Sequence, residues 1–261
     1  MNNLGLLNIL GNIINEGDTN SDYAITKYIL ENISHLENLT VYQITEEAFV
    51  SRSSIRRFCQ KIGYDNFSEL KKSLTDIIYP SNIHLREFEP NLSYRSKLND
   101  ELKAMIHGLN ESVSNDHVEY LAELMYKHEN VIFLNANNTS PNLIKFQQEL
   151  FYAGKTVRII DNHQGLTCTN ELLKDENVLL IVVSVSGVFA EAVKEMIINL
   201  KGEKILISAN RSKDLAYLYN DVFYISNQDI VEDKLGLLGK YGITYLFDLI
   251  SQYYIYNFHR K

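Results

Sequence analysis

The chain is poor in cysteine, has no long apolar run and carries no excess of positive charge. Two cysteines among 261 residues, Cys59 and Cys168, make neither a disulfide framework nor a zinc site. Both read as inert thiols, and no metal or cofactor is expected. The longest apolar run, Val178 to Val183, falls far short of the roughly 20 residues that cross a bilayer. The opening segment MNNLGLLNILGNIINEGD lacks the basic start of a secretory signal. These absences predict a cytoplasmic chain with no membrane partner. There is no internal repeat and no low-complexity tract. The formal net charge of −8 argues against indiscriminate polyanion binding, so any nucleic-acid contact must rest on a local patch.

Such a patch is present. From Ser51 to Lys72 the basic residues Arg52, Arg56, Arg57, Lys61, Lys71 and Lys72 face only Asp65 and Glu69. The segment Thr40 to Gly63, TVYQITEEAFVSRSSIRRFCQKIG, reads as two short helices joined by a tight turn. Thr40 and Gln43 form a T-x-x-Q capping box, with Val41, Ile44 and Ala48 as an apolar stripe behind it. Ser51 can cap the second helix, whose apolar set Ile55, Phe58, Cys59 and Ile62 follows helical spacing. That spacing leaves Ser53, Arg56, Arg57 and Gln60 on the opposite face, flanked by Arg52 and Lys61. In a helix-turn-helix the N-terminal half of the second helix enters the major groove, where arginine bonds guanine edges and hydroxyls hold phosphates. The candidate DNA-binding residues are therefore Ser51, Arg52, Ser53, Ser54, Arg56, Arg57, Gln60 and Lys61.

Val50 to Tyr64, V-S-R-S-S-I-R-R-F-C-Q-K-I-G-Y, resembles the helix-turn-helix of the RpiR-type bacterial transcriptional regulators, and the match runs on through Asp65 to Leu74. Thr45 stands where such motifs commonly carry alanine, and Phe49 where the turn commonly carries glycine. Because phenylalanine tolerates positive φ poorly, the turn is expected to take a different shape.

The length and the balance of 45% hydrophobic to 22% charged residues suit two globular domains. Ahead of the motif, Asp22 to Ile33 reads as a helix with Ala24, Ile25, Tyr28, Ile29 and Ile33 on one side. After Gly63, a helix C-cap, another helix starts at Asn66 or Ser68 and runs to Ile78. This sets a helix-turn-helix domain at residues 1–78 and a linker at 79–105, where Pro80 and Pro90 bracket YPSNIHLREFEPN. Helical patterns follow around Tyr94 to Glu111 and Asn115 to Lys127.

Beyond these the pattern alternates between VIFL, a helix from Pro141 to Ala153, VRII, a helical stretch near Leu166 to Leu173, VLLIVV and a helix from Val188 to Leu200. KILIS, a short helix near Asp214 to Leu218, VFYI and a long amphipathic segment from about Glu232 to Phe258 complete it. Strands without polar alternation, separated by helices, predict a doubly wound parallel α/β domain at residues 106–261. The fold class is thus α/β, with a small all-α head.

In such a sheet ligands sit beyond the carboxyl ends of the strands, where the winding reverses. Two loops there, Asn135 to Ser140 (N-A-N-N-T-S) and Ser184 to Gly187 (S-V-S-G), lead into helix N-termini that favour an anion such as phosphate. The segment from about Val131 onward resembles the sugar isomerase (SIS) domain, which binds phosphosugars, and a head joined to such a domain is the RpiR-type architecture. By that resemblance Asn135 and Asn137 take the glycine places and Thr139 the serine place of a G-x-G-x-S pattern. Ser184, Ser186 and Gly187 match S-x-S-G-x-T, with Phe189 replacing the threonine, and Ser208 stands where a threonine is common. Asparagine tolerates left-handed backbone, which would preserve the first loop. Phe189 removes a hydroxyl and adds bulk. The candidate effector-binding residues are Asn137, Thr139, Ser140, Ser184, Ser186, Gly187 and Ser208. The resemblance implies a regulator of sugar metabolism genes that binds an operator as a homodimer or higher homo-oligomer and responds to a phosphosugar. Two alternatives remain: a phosphosugar isomerase, and a regulator whose α/β domain holds no ligand and serves only for oligomerisation. His163, Glu149 and Glu191 are each accounted for by solvated surface, and no catalytic residue is assigned.

Overall fold

The structure, a computed structural model, describes residues 6–75, 93–135, 140–160, 176–227 and 236–259. The chain divides into two compact units, Met1–Ile78 and Tyr79–Lys261.

The first unit is helical: α1 (Leu6–Glu16), α2 (Ser21–Glu31), a 3-10 stretch (Ile33–Asn38), α3 (Val41–Glu47), α4 (Arg52–Lys61) and α5 (Phe67–Thr75). Its core joins Leu6 and Leu10 of α1 to Ile25 and Ile29 of α2, Ile44 of α3, Ile55, Phe58 and Cys59 of α4 and Leu70 of α5. Each of these side chains contributes about 1.5–3 kcal/mol on burial when it is as large as leucine or phenylalanine. Residues Leu6–Glu16 supply α1. Leu6 and Leu10 lie one turn apart and are buried, and Gly17 at φ +71° ends that segment. The second helix stops at Glu31, and Ile33 falls in the 3-10 stretch rather than in α2.

The second unit opens with α6 (Ser93–Ser112) and α7 (Asn115–Lys127). Residues 93–105, the end of the stretch placed as linker, are thus helical and belong to the helix expected around Tyr94 to Glu111. No proline follows Pro90 there, and Met105 and Leu109 carry an apolar side into the core. The strands β1 (Asn130–Asn135), β2 (Arg158–Ile160), β3 (Val178–Val183), β4 (Glu203–Ser208) and β5 (Asp221–Tyr224) form one sheet in the order β2-β1-β3-β4-β5. Every neighbouring pair is parallel. All six residues of β3 are buried, as expected for a strand covered on both faces.

Between the strands lie α8 (Ser140–Tyr152), α9 (Val188–Ala192), α10 (Lys194–Asn199) and α11 (Lys213–Ala216), and α12 (Ile243–Phe258) ends the described chain. The single helix expected from Val188 to Leu200 is broken at Val193, which leaves helical geometry at φ −100° and ψ 6°. Strand pleating alternates side chains between the two faces. Phe133, Leu179, Ile181, Val183, Ile205 and Ile207 share one core with Leu121 and Met125 of α7, Phe146 of α8 and Phe247 of α12. The rings of Phe133, Phe146 and Phe247 pack with centroids 4.7 to 5.7 Å apart. Ile132, Leu134, Leu180, Val182 and Leu206 point to the opposite face and are also buried. The winding reverses between β1 and β3, which puts the carboxyl end of β3 at the switch point. The helix expected near Leu166 to Leu173 lies outside the described residues. Among the described residues no helix is long and apolar enough to cross a membrane, and no cluster of metal-ligating side chains occurs.

Candidate functional site

Two separate surfaces carry the candidate residues, one on the helical unit and one at the carboxyl edge of the sheet. On the helical unit, α3 begins with the expected capping box. Gln43 N donates to Thr40 Oγ1 at 3.2 Å, and Thr40 N donates to Gln43 Oε1 at 2.9 Å. The turn that follows differs from the expectation. Phe49 adopts φ +52°, the left-handed region that glycine enters without strain, so the turn keeps a glycine-like geometry despite its ring. Ser51 then caps α4, accepting from Ser54 N at 3.1 Å.

α4 ends in a Schellman motif, since Tyr64 N donates to Cys59 O at 2.8 Å and Gly63 N to Gln60 O at 3.1 Å. Gly63 takes φ +93° to allow it. These two ends fix how the helix is rotated about its axis. Ile55, Phe58 and Cys59 face the core, and Arg52, Ser53, Arg56, Arg57, Gln60 and Lys61 are exposed. Ser54 is half-buried and accepts from the Arg57 guanidinium at 3.4 Å. Ser51 Oγ lies 2.7 Å from Ser53 Oγ and 2.9 Å from Ser54 Oγ.

The basic residues are not equivalent. Lys61 Nζ bonds Asp22 Oδ2 of α2 at 2.8 Å, and that hydrogen bond, followed by the carboxylate's charge, raises the ammonium pKa. Lys71 Nζ donates to the carbonyls of Glu37 and Leu39 at 3.1 and 3.2 Å, closing the end of the 3-10 stretch. Among the described residues Arg52, Arg56 and Arg57 have no carboxylate within ion-pair distance. Three guanidinium groups on one helix face are thus available to an anionic partner.

At the sheet's carboxyl edge the loop after β3 is tied to the loop after β4. Ser184, 4% exposed, accepts from Ala190 N at 3.1 Å and so caps α9. Ser208 is fully buried. Its hydroxyl donates to Ser184 O at 2.7 Å and accepts from Asn210 N at 3.0 Å. The hydroxyls of Ser184 and Ser208 therefore serve the protein's own backbone from buried positions, whereas Ser186 is exposed and its hydroxyl accepts only a long bond from Val188 N, at 3.4 Å. Gly187 N donates to Ser184 O at 3.1 Å, and Gly187 holds φ +82°. Asn210, which no sequence motif singles out, donates from Nδ2 to Ser186 O at 3.0 Å and accepts Ser212 N on Oδ1 at 2.8 Å. Its position two residues past Ser208, at a strand's carboxyl end, is the signal that could have found it.

Beside it, Arg211 bonds Ser226 O through Nε at 3.1 Å and Nη2 at 2.6 Å, and lies 4.5 Å from the Tyr224 ring centroid. Phe189 is buried, so its ring packs inside rather than filling an open cradle. Asn135 is in β1, paired with Val183, and is extended rather than left-handed. Asn137, Thr139 and His163 lie outside the described residues, as does the side chain of Ser140 at the start of α8. Glu149 pairs with Lys145 of the same helix at 3.6 Å, and Glu191 of α9 pairs with Lys194 at the start of α10 at 3.2 Å.

Two relatives give the scale of the likeness. The chain is 23% identical over 199 residues to the HTH-type transcriptional regulator YfhH of Escherichia coli (strain K12), covering 73% of this chain and 68% of that protein. It is 25% identical over 220 residues to the HTH-type transcriptional regulator GlvR of Bacillus subtilis (strain 168), covering 80% of this chain and 79% of that one. Among solved structures, the Vibrio vulnificus NanR protein complexed with ManNAc-6P matches 97% of this chain and 92% of its own, at 16% identity and a TM-score of 0.49. The sugar isomerase domain of an RpiR transcription factor from Sphaerobacter thermophilus matches 62% of this chain and 90% of its own, at 15% identity and a TM-score of 0.47. The capped helix pair α3 and α4 lies inside residues 5–80, the segment that matches the family model for the helix-turn-helix domain of the rpiR family.

Proposed function

We propose that this chain is a transcriptional regulator that binds an operator duplex as a dimer through α4, and that its α/β unit takes a phosphosugar that shifts operator affinity. The observation that carries the reading is the division of α4. Ile55, Phe58 and Cys59 are buried while Arg52, Arg56 and Arg57 stand exposed without carboxylate partners among the described residues. Arginine so placed can bond guanine edges and phosphates on an otherwise acidic chain. The rpiR-family domain and the relatives named as transcriptional regulators support the same reading, and favour a regulator over an enzyme. Dimerisation follows from affinity: one short recognition helix makes few base contacts, and two heads across a twofold axis read two half-sites. The effector acts only in so far as it prefers one arrangement of the dimer.

The test is electrophoretic titration against a duplex selected from a random library. Arg56→Ala and Arg57→Ala are each expected to weaken binding by about tenfold, since one good base contact is worth roughly 1–3 kcal/mol. Where the arginine holds a phosphate, its removal would also flatten the salt dependence by about one unit. Unchanged affinity in both variants would count against the reading.

A second reading draws on the inward hydroxyls of Ser184 and Ser208, which favour an α/β unit that holds no ligand and serves to join subunits. Calorimetry with a panel of sugar phosphates separates the two. Heat that disappears in Ser186→Ala supports an effector site there, and no heat with any member supports the ligand-free unit. Turnover of a panel member in a coupled assay would instead make the protein an isomerase.

A further inference from the structure

Phe49 follows the C-cap Ala48 of α3 and stands two residues before the N-cap Ser51 of α4. It is the sole non-glycine among the described residues with positive φ. In that conformation an L side chain crowds the backbone, and the strain costs stability. Burial does not offset it, because the residue is 91% exposed. Its neighbours Ala48 and Val50, by contrast, pack against the core of the head. Glycine would form this turn with less strain, so the ring is not explained by folding.

Its position suggests what the ring meets. Arg52 and Ser53, exposed in the first turn of α4, belong to the end of a recognition helix that enters the major groove. One group in that groove welcomes an aromatic ring with no hydrogen bond to satisfy, the 5-methyl of thymine. We propose that the Phe49 ring packs on a thymine methyl at the edge of each operator half-site, supplying a base preference that the arginines do not. The proposal rests on the reading of α4 as the DNA-reading helix. It sets an apolar group beside the ionic ones, so removing the ring leaves the bonds to phosphate unchanged.

The test uses the full chain and the duplex it selects from a random library, with each thymine replaced in turn by uracil, which removes only the methyl. The wild type is expected to lose about fourfold in affinity at one thymine per half-site, the worth of one buried methyl. Phe49→Gly should lose that sensitivity while keeping its salt dependence. Phe49→Asn, which accepts left-handed backbone without a ring, should behave in the same way and so separates the ring from the turn. A uracil profile identical to wild type in both variants overturns the proposal, even if their overall affinity falls. Arg56→Ala is titrated alongside. If it weakens binding while the Phe49 variants keep the wild-type profile, the ring contact is wrong and the DNA reading stands. If the wild type selects no duplex at all, both fall.

Discussion

The amide of Asn210 lies directly over the α-carbon of Gly187: a Cβ there would meet Asn210 Nδ2 at 2.7 Å and Cγ at 2.8 Å. The same amide bonds Ser186 O and Ser212 N, so it clamps the loop after β3 to the loop after β4. At φ +82° a side chain at Gly187 would bring both strain and a clash. Gly187→Ala is expected to destabilise the α/β unit by about 2 kcal/mol, seen as a lower denaturant midpoint at unchanged slope. A loss below roughly 0.5 kcal/mol, the range of neutral surface changes, would mean that the clamp yields.

Ser208 and Ser186 separate a buried structural hydroxyl from an exposed one that accepts only a long bond, from Val188 N at 3.4 Å. Ser208→Ala removes one of the two donors to the carbonyl of Ser184, which keeps Gly187 N, and takes the hydroxyl acceptor from the amide of Asn210, at a cost of about 1–3 kcal/mol. Ser186→Ala, on an exposed side chain, should stay within about 0.5 kcal/mol of wild type. Equal losses in the two unfolding curves would contradict the assignment.

Phe49→Gly should raise the stability of the helical unit. A left-handed non-glycine residue costs roughly 1–2 kcal/mol, and the added freedom of glycine in the unfolded chain returns part of it. The expected gain is about 1 kcal/mol, measured as a higher thermal midpoint. A destabilised variant would show that the exposed ring makes a contact worth more than the strain.

Asp22 forms an ion pair with the exposed ammonium of Lys61 at 2.8 Å. Asp22→Asn should release that ammonium, tighten operator binding and steepen the salt dependence by about one unit per head. An unchanged slope would place Lys61 outside the DNA footprint.

Burial pushes the Cys59 thiol from 9.0 up to about 11. The unfolded thiol therefore ionises first, and the buried neutral thiol favours folding fully below about 9. That contribution is lost as pH rises from 9 toward 11. In a Cys168→Ser background, alkylation of Cys59 at pH 8 should proceed only through unfolding, and Cys59→Ala should lessen the alkaline loss of stability. Rapid alkylation of the native protein would show that the thiol is accessible.

Much of the helical head was legible locally. Thr40 with Gln43, and Ser51 ahead of Ile55, Phe58 and Cys59, encode caps and periodicity within a few residues. The helix α1 was not, because Leu6 and Leu10 become informative only through the core they complete. The parallel sheet was legible in VLLIVV and KILIS, which read as strands covered on both faces. The break at Val193 was not, since Val188 to Leu200 carries no proline and no interior glycine to announce it.

By itself the sequence determined most of the helices and the parallel strands, where α3 and α4 begin, and that α4 shows its arginines opposite an apolar face. Those properties arise from neighbours within one or two turns. Only the tertiary structure decided that Lys61 is held by Asp22, that Phe49 accepts a left-handed backbone, and that Ser184 and Ser208 turn inward under Asn210. Each of these depends on groups that the chain brings together from distant positions or on the closure of a turn between packed helices, and no local pattern specifies such distances.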